Sequence, residues 1–107
     1  MEKIVLGLIE KVRINGVELK AKIDTGADRS SICRSMVDEL NLEPTGKKVK
    51  VRSSHGETKR EVYSANLEIK GKILKTEFTI IDRNNLNYGI LIGKNTLKHG
   101  FLIDPSK

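Results

Sequence analysis

The sequence contains few aromatic residues and a single cysteine. Two Tyr, two Phe and no Trp make up the aromatic set, so the core must be built from Ile, Leu and Val. One cysteine, Cys33, excludes an internal disulfide and a cysteine-rich zinc site. No apolar run approaches the roughly 18 residues that a membrane helix needs. The amino-terminal apolar run is too short for a secretory signal, so we expect a cytoplasmic protein without a membrane partner.

The length and the charge of the chain limit its organisation and its partners. A chain of 107 residues is enough for one domain with a modest core, and we expect residues 1–107 to form it. The formal net charge is +6, and the basic residues are spread along the chain. This is typical of a solvated surface and also suits an acidic partner. Nucleic-acid binding is not favoured, because aromatic residues do not alternate with the basic ones and no binding motif is present.

Most of the chain alternates apolar and polar residues, as β-strands do. Asn15-Gly16 separates two such runs and predicts a tight hairpin over residues 11–23. Further strands are predicted at residues 4–9, 30–33, 47–52, 59–65, 67–69, 72–74, 78–81, 90–92 and 101–103. Short helices are predicted at residues 36–40, with Ser35 as the N-cap, and at residues 94–98. The pattern indicates a small, mostly antiparallel β fold with one or two short helices.

The most specific motif is Asp24-Thr25-Gly26-Ala27-Asp28, which follows the second strand of this hairpin. An aspartate at the end of an apolar strand suits a carboxylate presented at a tight turn. Gly26 allows another backbone, or a second copy of the loop, to approach closely. The Thr25 hydroxyl can hydrogen-bond a neighbouring backbone group. The motif occurs once, so a catalytic pair of carboxylates would need a second chain, and we expect a homodimer; the alternative is an ordinary turn aspartate.

The order of these segments resembles the retropepsin fold of retroviral-type aspartic proteases. The similarity covers about residues 12–103 and is carried by residues 21–28, by the run Ile90-Leu91-Ile92-Gly93-Lys94-Asn95 and by their spacing. Within that superfamily the chain most resembles a cellular microbial group often called "ATP-dependent zinc proteases", which is associated with ATP-grasp amino-acid ligases. This closer resemblance is carried by residues 21–27 with Ser30-Ser31, by residues 78–83, and by the run from residues 90–95 through residues 100–106, which is the most discriminating. The resemblance implies a closed β domain that acts as a C2 homodimeric aspartic endopeptidase without a cofactor.

The resemblance also implies a role for each residue of the motif. Asp24 from each subunit would form a catalytic dyad, with Thr25 in a hydrogen-bonded clasp beneath it and Gly26 against the substrate backbone. Two carboxylates that share one proton can serve as base and acid, because close like charges cannot both ionise. Ala27 and Asp28 would line the substrate site. Asp28 would be a buried or half-buried acid paired with Lys94, where viral enzymes usually carry Arg.

A polar turn at residues 53–57 occupies the place of the retropepsin flap, which closes over the substrate. Its candidate substrate contacts are Ser54, His55 and Gly56. Arg60 follows the turn; it either faces the cleft, where it would bind an acidic side chain, or is a solvated strand residue. A basic surface together with Arg60 would suit an acidic peptide, such as one bearing the amino-acid tails that ATP-grasp ligases add.

Two other function classes stay open. A zinc protease would need three protein ligands and an open position. The soft candidates, Cys33, His55 and His99, are widely separated, so no metal site is predicted. Cys33 is better explained as a small core residue, and His55 as an exposed turn residue. The main alternative is a retropepsin-like module for dimerisation or peptide binding with little proteolysis, because a fold and a motif do not guarantee turnover.

Overall fold

The computed structural model describes residues 3–53, 56–82 and 88–107. In these ranges the chain forms nine strands and two short helices. The elements in chain order are β1 (Ile4–Leu6), β2 (Ile9–Ile14), β3 (Val17–Ile23), β4 (Ser30–Cys33), α1 (Met36–Glu39), β5 (Glu43–Ser53), β6 (Gly56–Ile69), β7 (Lys72–Ile81), β8 (Ile90–Ile92), α2 (Lys94–Leu97) and β9 (Phe101–Ile103).

Six of the strands close into a barrel. The pairing runs from β2 through β3, β8, β4, β7 and β6, and β6 pairs again with β2. β5 adds to the free edge of β6 as the second arm of a long hairpin, while β1 and β9 form a separate parallel pair. The predicted closed, mostly β fold with two short helices is therefore confirmed.

Tight turns join the predicted hairpins because their central residues accept positive φ angles. Asn15 and Gly16 have φ angles of 49° and 86°, and Lys70 and Gly71 have φ angles of 51° and 82°. Positive φ at both central positions gives a turn whose twist matches that of the flanking strands. The hairpin predicted from Asn15-Gly16 is confirmed, and its second strand leads directly to Asp24.

Several predicted strand boundaries are wrong. Residues 59–65 and 67–69 belong to the single strand β6, and residues 72–74 and 78–81 belong to the single strand β7. Residues 4–9 do not form one strand, because β1 ends at Leu6 and Ile9 already belongs to β2. Gly7 lies at the break, where its N–H donates to Glu10 Oε2 at 2.6 Å. β5 begins at residue 43 rather than residue 47, and its register against β6 shifts between Pro44 and Lys48. A bulge of this kind lets a strand continue past a proline, which donates no ladder hydrogen bond.

The helices are single turns at the predicted places. Ser35 is the N-cap residue of α1, as predicted, but its side chain makes no capping hydrogen bond because the residue already has helical φ and ψ angles of −60° and −19°. α2 begins immediately after Gly93, next to the end of β8.

The core fills the barrel with aliphatic side chains, as the composition requires. Phe78 is its one completely buried aromatic residue among those described, and Ile14, Ile32, Leu67 and Ile90 are also completely buried. In the part of the chain that the structure describes, no helix has the length and apolar character needed to cross a membrane.

Candidate active site

Asp24 lies immediately after β3 and is held by the backbone on both sides. Its N–H donates to the carbonyl oxygen of Ile92 in β8 at 2.9 Å, and its own carbonyl accepts the Ala27 N–H at 3.3 Å. The Gly26 N–H donates to Asp24 Oδ1 at 2.9 Å. Among the described residues, Oδ2 has no hydrogen-bond partner. The half-buried carboxylate is thus anchored through one oxygen, and the other is available for chemistry.

Thr25 and Gly26 are exposed at the tip of this loop. A Cβ atom on Gly26 would lie 3.2 Å from Asp24 Oδ1, which is closer than most real Cβ contacts. A side chain at this position would therefore press on the carboxylate that the Gly26 N–H holds. The exposure of Thr25 leaves its hydroxyl accessible to a second chain.

Gly93 and the first residues of α2 pack against the motif and hold it in place. The Lys94 N–H donates to the Ala27 carbonyl at 2.8 Å, and the Asn95 N–H donates to the Asp28 carbonyl at 3.1 Å. Gly93 lies so close to the loop that a Cβ atom there would be 2.6 Å from the carbonyl oxygen of Arg29. The two segments, more than sixty residues apart in sequence, are therefore locked together through their backbones.

A buried polar network reinforces this contact. Ser30 is completely buried; its Oγ accepts the Gly93 N–H at 3.0 Å and donates to Asn95 Oδ1 at 2.8 Å. Thr96 Oγ1 lies 2.8 Å from the same hydroxyl. Asn95 also accepts the Ser30 N–H at 2.7 Å and donates to the carbonyl of Glu77 at 3.0 Å. Sequence reasoning gave Ser30 and Asn95 no role, although both stand in the segments that carry the family resemblance.

Asp28 and Lys94 form the expected pair, with 3.4 Å between Oδ1 and Nζ. The prediction that Asp28 is buried or half-buried is wrong, since its side chain is 91% exposed. The reason is local: the backbone carbonyl of Asp28 faces the protein body and accepts the Asn95 N–H, which directs the side chain outward. An exposed lysine and carboxylate at this distance form a weak, adaptable ion pair.

A cleft of about 350 Å³ adjoins the motif, between the loop after β3 and the β5–β6 hairpin. Ala27 and Asp28 lie at one end, and the hydroxyls of Ser31 and Thr79, 3.1 Å apart, belong to its wall. Its lining also contains four basic residues: Arg29, Lys50, Arg52 and Arg60. Asp28 is the one acidic residue among the described lining residues. The cleft is therefore electropositive.

Arg60 lines this cleft and is half-buried. It pairs across the hairpin with Val49, so both side chains belong to the same face of β5 and β6. The sequence allowed Arg60 to lie either beside the cleft or on a solvated strand surface, and the structure places it beside the cleft.

The remaining predicted site residues lie partly outside the described ranges. Ser54 and His55 are outside them. Gly56 begins β6, pairs with Ser53 and has a φ of +105°. Cys33 is buried in β4 and His99 is exposed after α2. Within the described ranges, no three His, Cys, Asp or Glu side chains are grouped so that they could bind a metal ion.

Solved structures with this fold include two viral proteases. EIAV protease, solved with an inhibitor, has a TM-score of 0.66 and 22% identity, with 84% of each chain covered. Simian foamy virus protease has a TM-score of 0.64 and 21% identity, with 84% of this chain and 91% of that chain covered. A Legionella pneumophila protein of unknown function has a TM-score of 0.73 and 20% identity and covers 97% of this chain and 95% of its own. These likenesses show the retropepsin-like fold.

Curated relatives and a family model extend the comparison to the sequence. Two proteins named "Probable alpha-L-glutamate ligase", from Shewanella pealeana and Shewanella halifaxensis, are each 25% identical over 83% of this chain. The chain spans about a quarter of their length, 25% in each case. The model of the family described as "gag-polyprotein putative aspartyl protease" matches residues 10–99, which is most of the chain. The chain therefore belongs to this aspartyl protease family.

Proposed function

We propose that the protein is a homodimeric aspartic endopeptidase whose active site contains one Asp24 from each of two chains. The observation that carries the proposal is the Asp24 carboxylate at the end of β3, anchored by the Gly26 N–H with its second oxygen available. The motif occurs once per chain, so a pair of carboxylates requires two copies. Membership of the aspartyl protease family supports this chemistry.

The two Asp24 carboxylates would share one proton, because two close negative charges repel each other and a shared proton removes that repulsion. The ionised carboxylate takes a proton from water while the water oxygen bonds to the scissile carbonyl carbon. The protonated partner gives its proton to the carbonyl oxygen. One Asp24 carboxyl group then gives a proton to the amide nitrogen while the other Asp24 carboxylate takes a proton from a hydroxyl of the tetrahedral adduct, so that the C–N bond breaks, the amine leaves and the dyad again holds one proton. Gly26 would contact the substrate backbone, and Thr25 would join the two loops.

The preferred substrate is an acidic peptide. Four of the cleft residues are basic and one is acidic, so the cleft attracts carboxylates. Arg60 is well placed for a charge-assisted contact, since it is half-buried and lines the cleft. The relatives named as alpha-L-glutamate ligases support glutamate-containing peptides in particular. They also agree with the closer resemblance to the microbial group associated with ATP-grasp ligases.

The substitution Asp24→Asn tests this function. Asn keeps the size of the side chain but cannot act as a base or share a proton, so hydrolysis of glutamate-containing peptides should fall by at least about a hundredfold. The matched control is Asp38→Asn, which neutralises an exposed aspartate on α1 and should leave the rate unchanged. Sedimentation of both variants checks that the dimer persists.

Three outcomes would contradict the proposal. An active Asp24→Asn enzyme would exclude the dyad. Activity that a chelator abolishes and zinc restores would indicate a metallopeptidase. Finally, a wild-type protein that binds peptides without cleaving any of a varied set would be a retropepsin-like binding module.

A further inference from the structure

A second cavity, of about 290 Å³, shares Arg60 with the cleft beside Asp28. The β5–β6 hairpin forms one side of it, and the end of β7 at Ile80 and Ile81 forms another. The space next to the candidate active site is therefore divided into two compartments that meet at one arginine. We call the cavity on the far side of Arg60 the distal compartment.

Both acidic residues that line the distal compartment are paired with Arg34, and the four basic and two acidic lining residues leave it a net charge of +2. Arg34 Nε lies 2.5 Å from Asp82 Oδ1, and Arg34 Nη2 lies 3.3 Å from Glu61 Oε1. The hydrogen bond to Asp82 raises the pKa of the Arg34 guanidinium above its ordinary value. The Tyr63 hydroxyl donates to the other oxygen of Glu61 at 3.4 Å. Arg34 thus forms ion pairs with both carboxylates that line the distal compartment.

The lysines of the distal compartment are left without such partners. Lys48 lies directly across the hairpin from Glu61, which is bonded to Arg34 instead. Lys59 lies directly across from Lys50, and like charges at opposed positions destabilise a strand pair. In the described ranges, no carboxylate oxygen lies within 4.0 Å of the Lys48 or Lys59 amine. The compartment therefore combines open volume with uncompensated positive charge.

We propose that the distal compartment is a second carboxylate subsite, in which Lys48 and Lys59 bind one acidic side chain of a peptide while another occupies the cleft beside Asp28. The proposal rests on the proposed function, because it places both acidic residues in one substrate. Both compartments belong to a single chain, and in a C2 dimer each chain would contact one side of the scissile bond. The protein should therefore prefer a run of acidic residues on one side of that bond.

The experiment measures peptide affinity by calorimetry on the full chain carrying Asp24→Asn, so that no peptide is consumed. A run peptide has three consecutive glutamates on one side of the bond. A split peptide has the same composition, with two of the glutamates moved to its far end. We expect the run peptide to bind about five- to twentyfold more tightly, since two exposed ion pairs each contribute modestly. Added salt should reduce this ratio.

The test variant is Lys48→Gln with Lys59→Gln, in which the ratio should fall to about twofold or less. The control is Lys11→Gln with Lys20→Gln, which removes the same charge from exposed lysines that oppose each other across the β2–β3 hairpin. This control variant should prefer the run peptide over the split peptide by the same factor as the chain that carries Asp24→Asn alone. Thermal unfolding of each variant confirms that the fold is retained.

The outcomes separate the subsite from the catalytic proposal. A ratio that stays unchanged in the Lys48 and Lys59 variant overturns the subsite, as does an equal loss in both lysine pairs, which would indicate general surface attraction. Cleavage of the split peptide by the wild-type chain would still support the peptidase in that case. Conversely, a lysine-dependent preference in binding without any cleavage would support the subsite and contradict the peptidase.

Discussion

Asp24 is positioned by main-chain contacts more than by neighbouring side chains. Its N–H is bonded to the carbonyl of Ile92, and its carboxylate receives the N–H of Gly26. The side chain that contributes most to this arrangement is Ser30, because its hydroxyl fixes the N–H of Gly93 from a fully buried position. A buried hydroxyl with several partners is expensive to remove, since each partner left unsatisfied has a desolvation cost.

Ser30→Ala should lower the free energy of unfolding by about 2–4 kcal/mol, because it leaves the Gly93 N–H without an acceptor and removes the hydroxyl's contacts with Asn95 Oδ1 and Thr96 Oγ1. Ser31→Ala is the matched control: Ser31 is also buried, but its hydroxyl contacts only Thr79 Oγ1 among the described residues, and a loss of about 1 kcal/mol is expected. Denaturant unfolding of both variants measures the difference. Equal losses would show that the network around Ser30 does not support the motif.

Arg60→Gln should weaken the binding of acidic peptides more than that of neutral ones. Truncating one side of a charge-assisted bond costs about 1.5–3 kcal/mol, or roughly tenfold to a hundredfold in KM. The control, Arg13→Gln, removes an exposed arginine from β2. Measuring kcat/KM for matched acidic and neutral peptides decides the role. A similar loss of kcat/KM for both peptide classes would mean that Arg60 supports the fold and does not bind the acidic side chain.

The residues of the site differ in how far the sequence predicts them. Asp24, Thr25 and Gly26 form a short motif, so local pattern was enough to select them. The bond between Ser30 and Asn95 joins residues 65 positions apart, and no local pattern indicates such a contact. The exposure of Asp28 depends on which of its atoms faces the protein body, and that also requires the folded structure.

At the scale of elements, turn chemistry was a better guide than strand alternation. The Asn15-Gly16 dipeptide located its hairpin correctly, because Asn and Gly both tolerate a positive φ angle and a two-residue turn of this type needs one at each position. By contrast, residues 59–65 and 67–69 belong to one strand, the 14-residue β6. This strand pairs with β5 over part of its length and with β2 near its end, so its exposed face changes along the strand. Local alternation therefore suggested a break where none exists.

The β5–β6 hairpin carries an unfavourable pair that a single substitution should relieve. Lys59→Glu places a carboxylate opposite Lys50 and should raise the free energy of unfolding by about 0.2–1 kcal/mol. The same change should weaken the binding of acidic peptides, because it reverses a charge in the distal compartment. Lys20→Glu, opposite Lys11, is the control and should stabilise the protein without changing peptide affinity. A Lys59→Glu variant that is stabilised and binds acidic peptides as before would contradict this assignment.

At the scale of the whole molecule, the terminal strands form a small sheet with an open edge. β1 and β9 pair in parallel, and in the described ranges no further strand joins them. Leu102 in β9 is 50% exposed, and Leu8 and Ile9, which follow β1 in the chain, are 45% and 39% exposed. Burial of apolar surface favours association, and an open strand edge provides backbone groups for pairing with a second chain. This end of the molecule is therefore the proposed dimer interface.

Leu102→Asp tests the interface and its link to activity. A charge at this position should weaken the dimer by at least about tenfold, because an unpaired charge is costly in an apolar contact. Peptidase activity should fall with the fraction of dimer, since each active site needs two Asp24 residues. Val17→Asp is the control: Val17 is similarly exposed, at 43%, and lies at the turn of the β2–β3 hairpin, whose other end contains Ile9. Sedimentation equilibrium at micromolar concentration, combined with peptide hydrolysis, measures both effects. A wild-type chain that hydrolyses peptides as a stable monomer would refute the shared active site, because one chain would then carry out the chemistry with one Asp24.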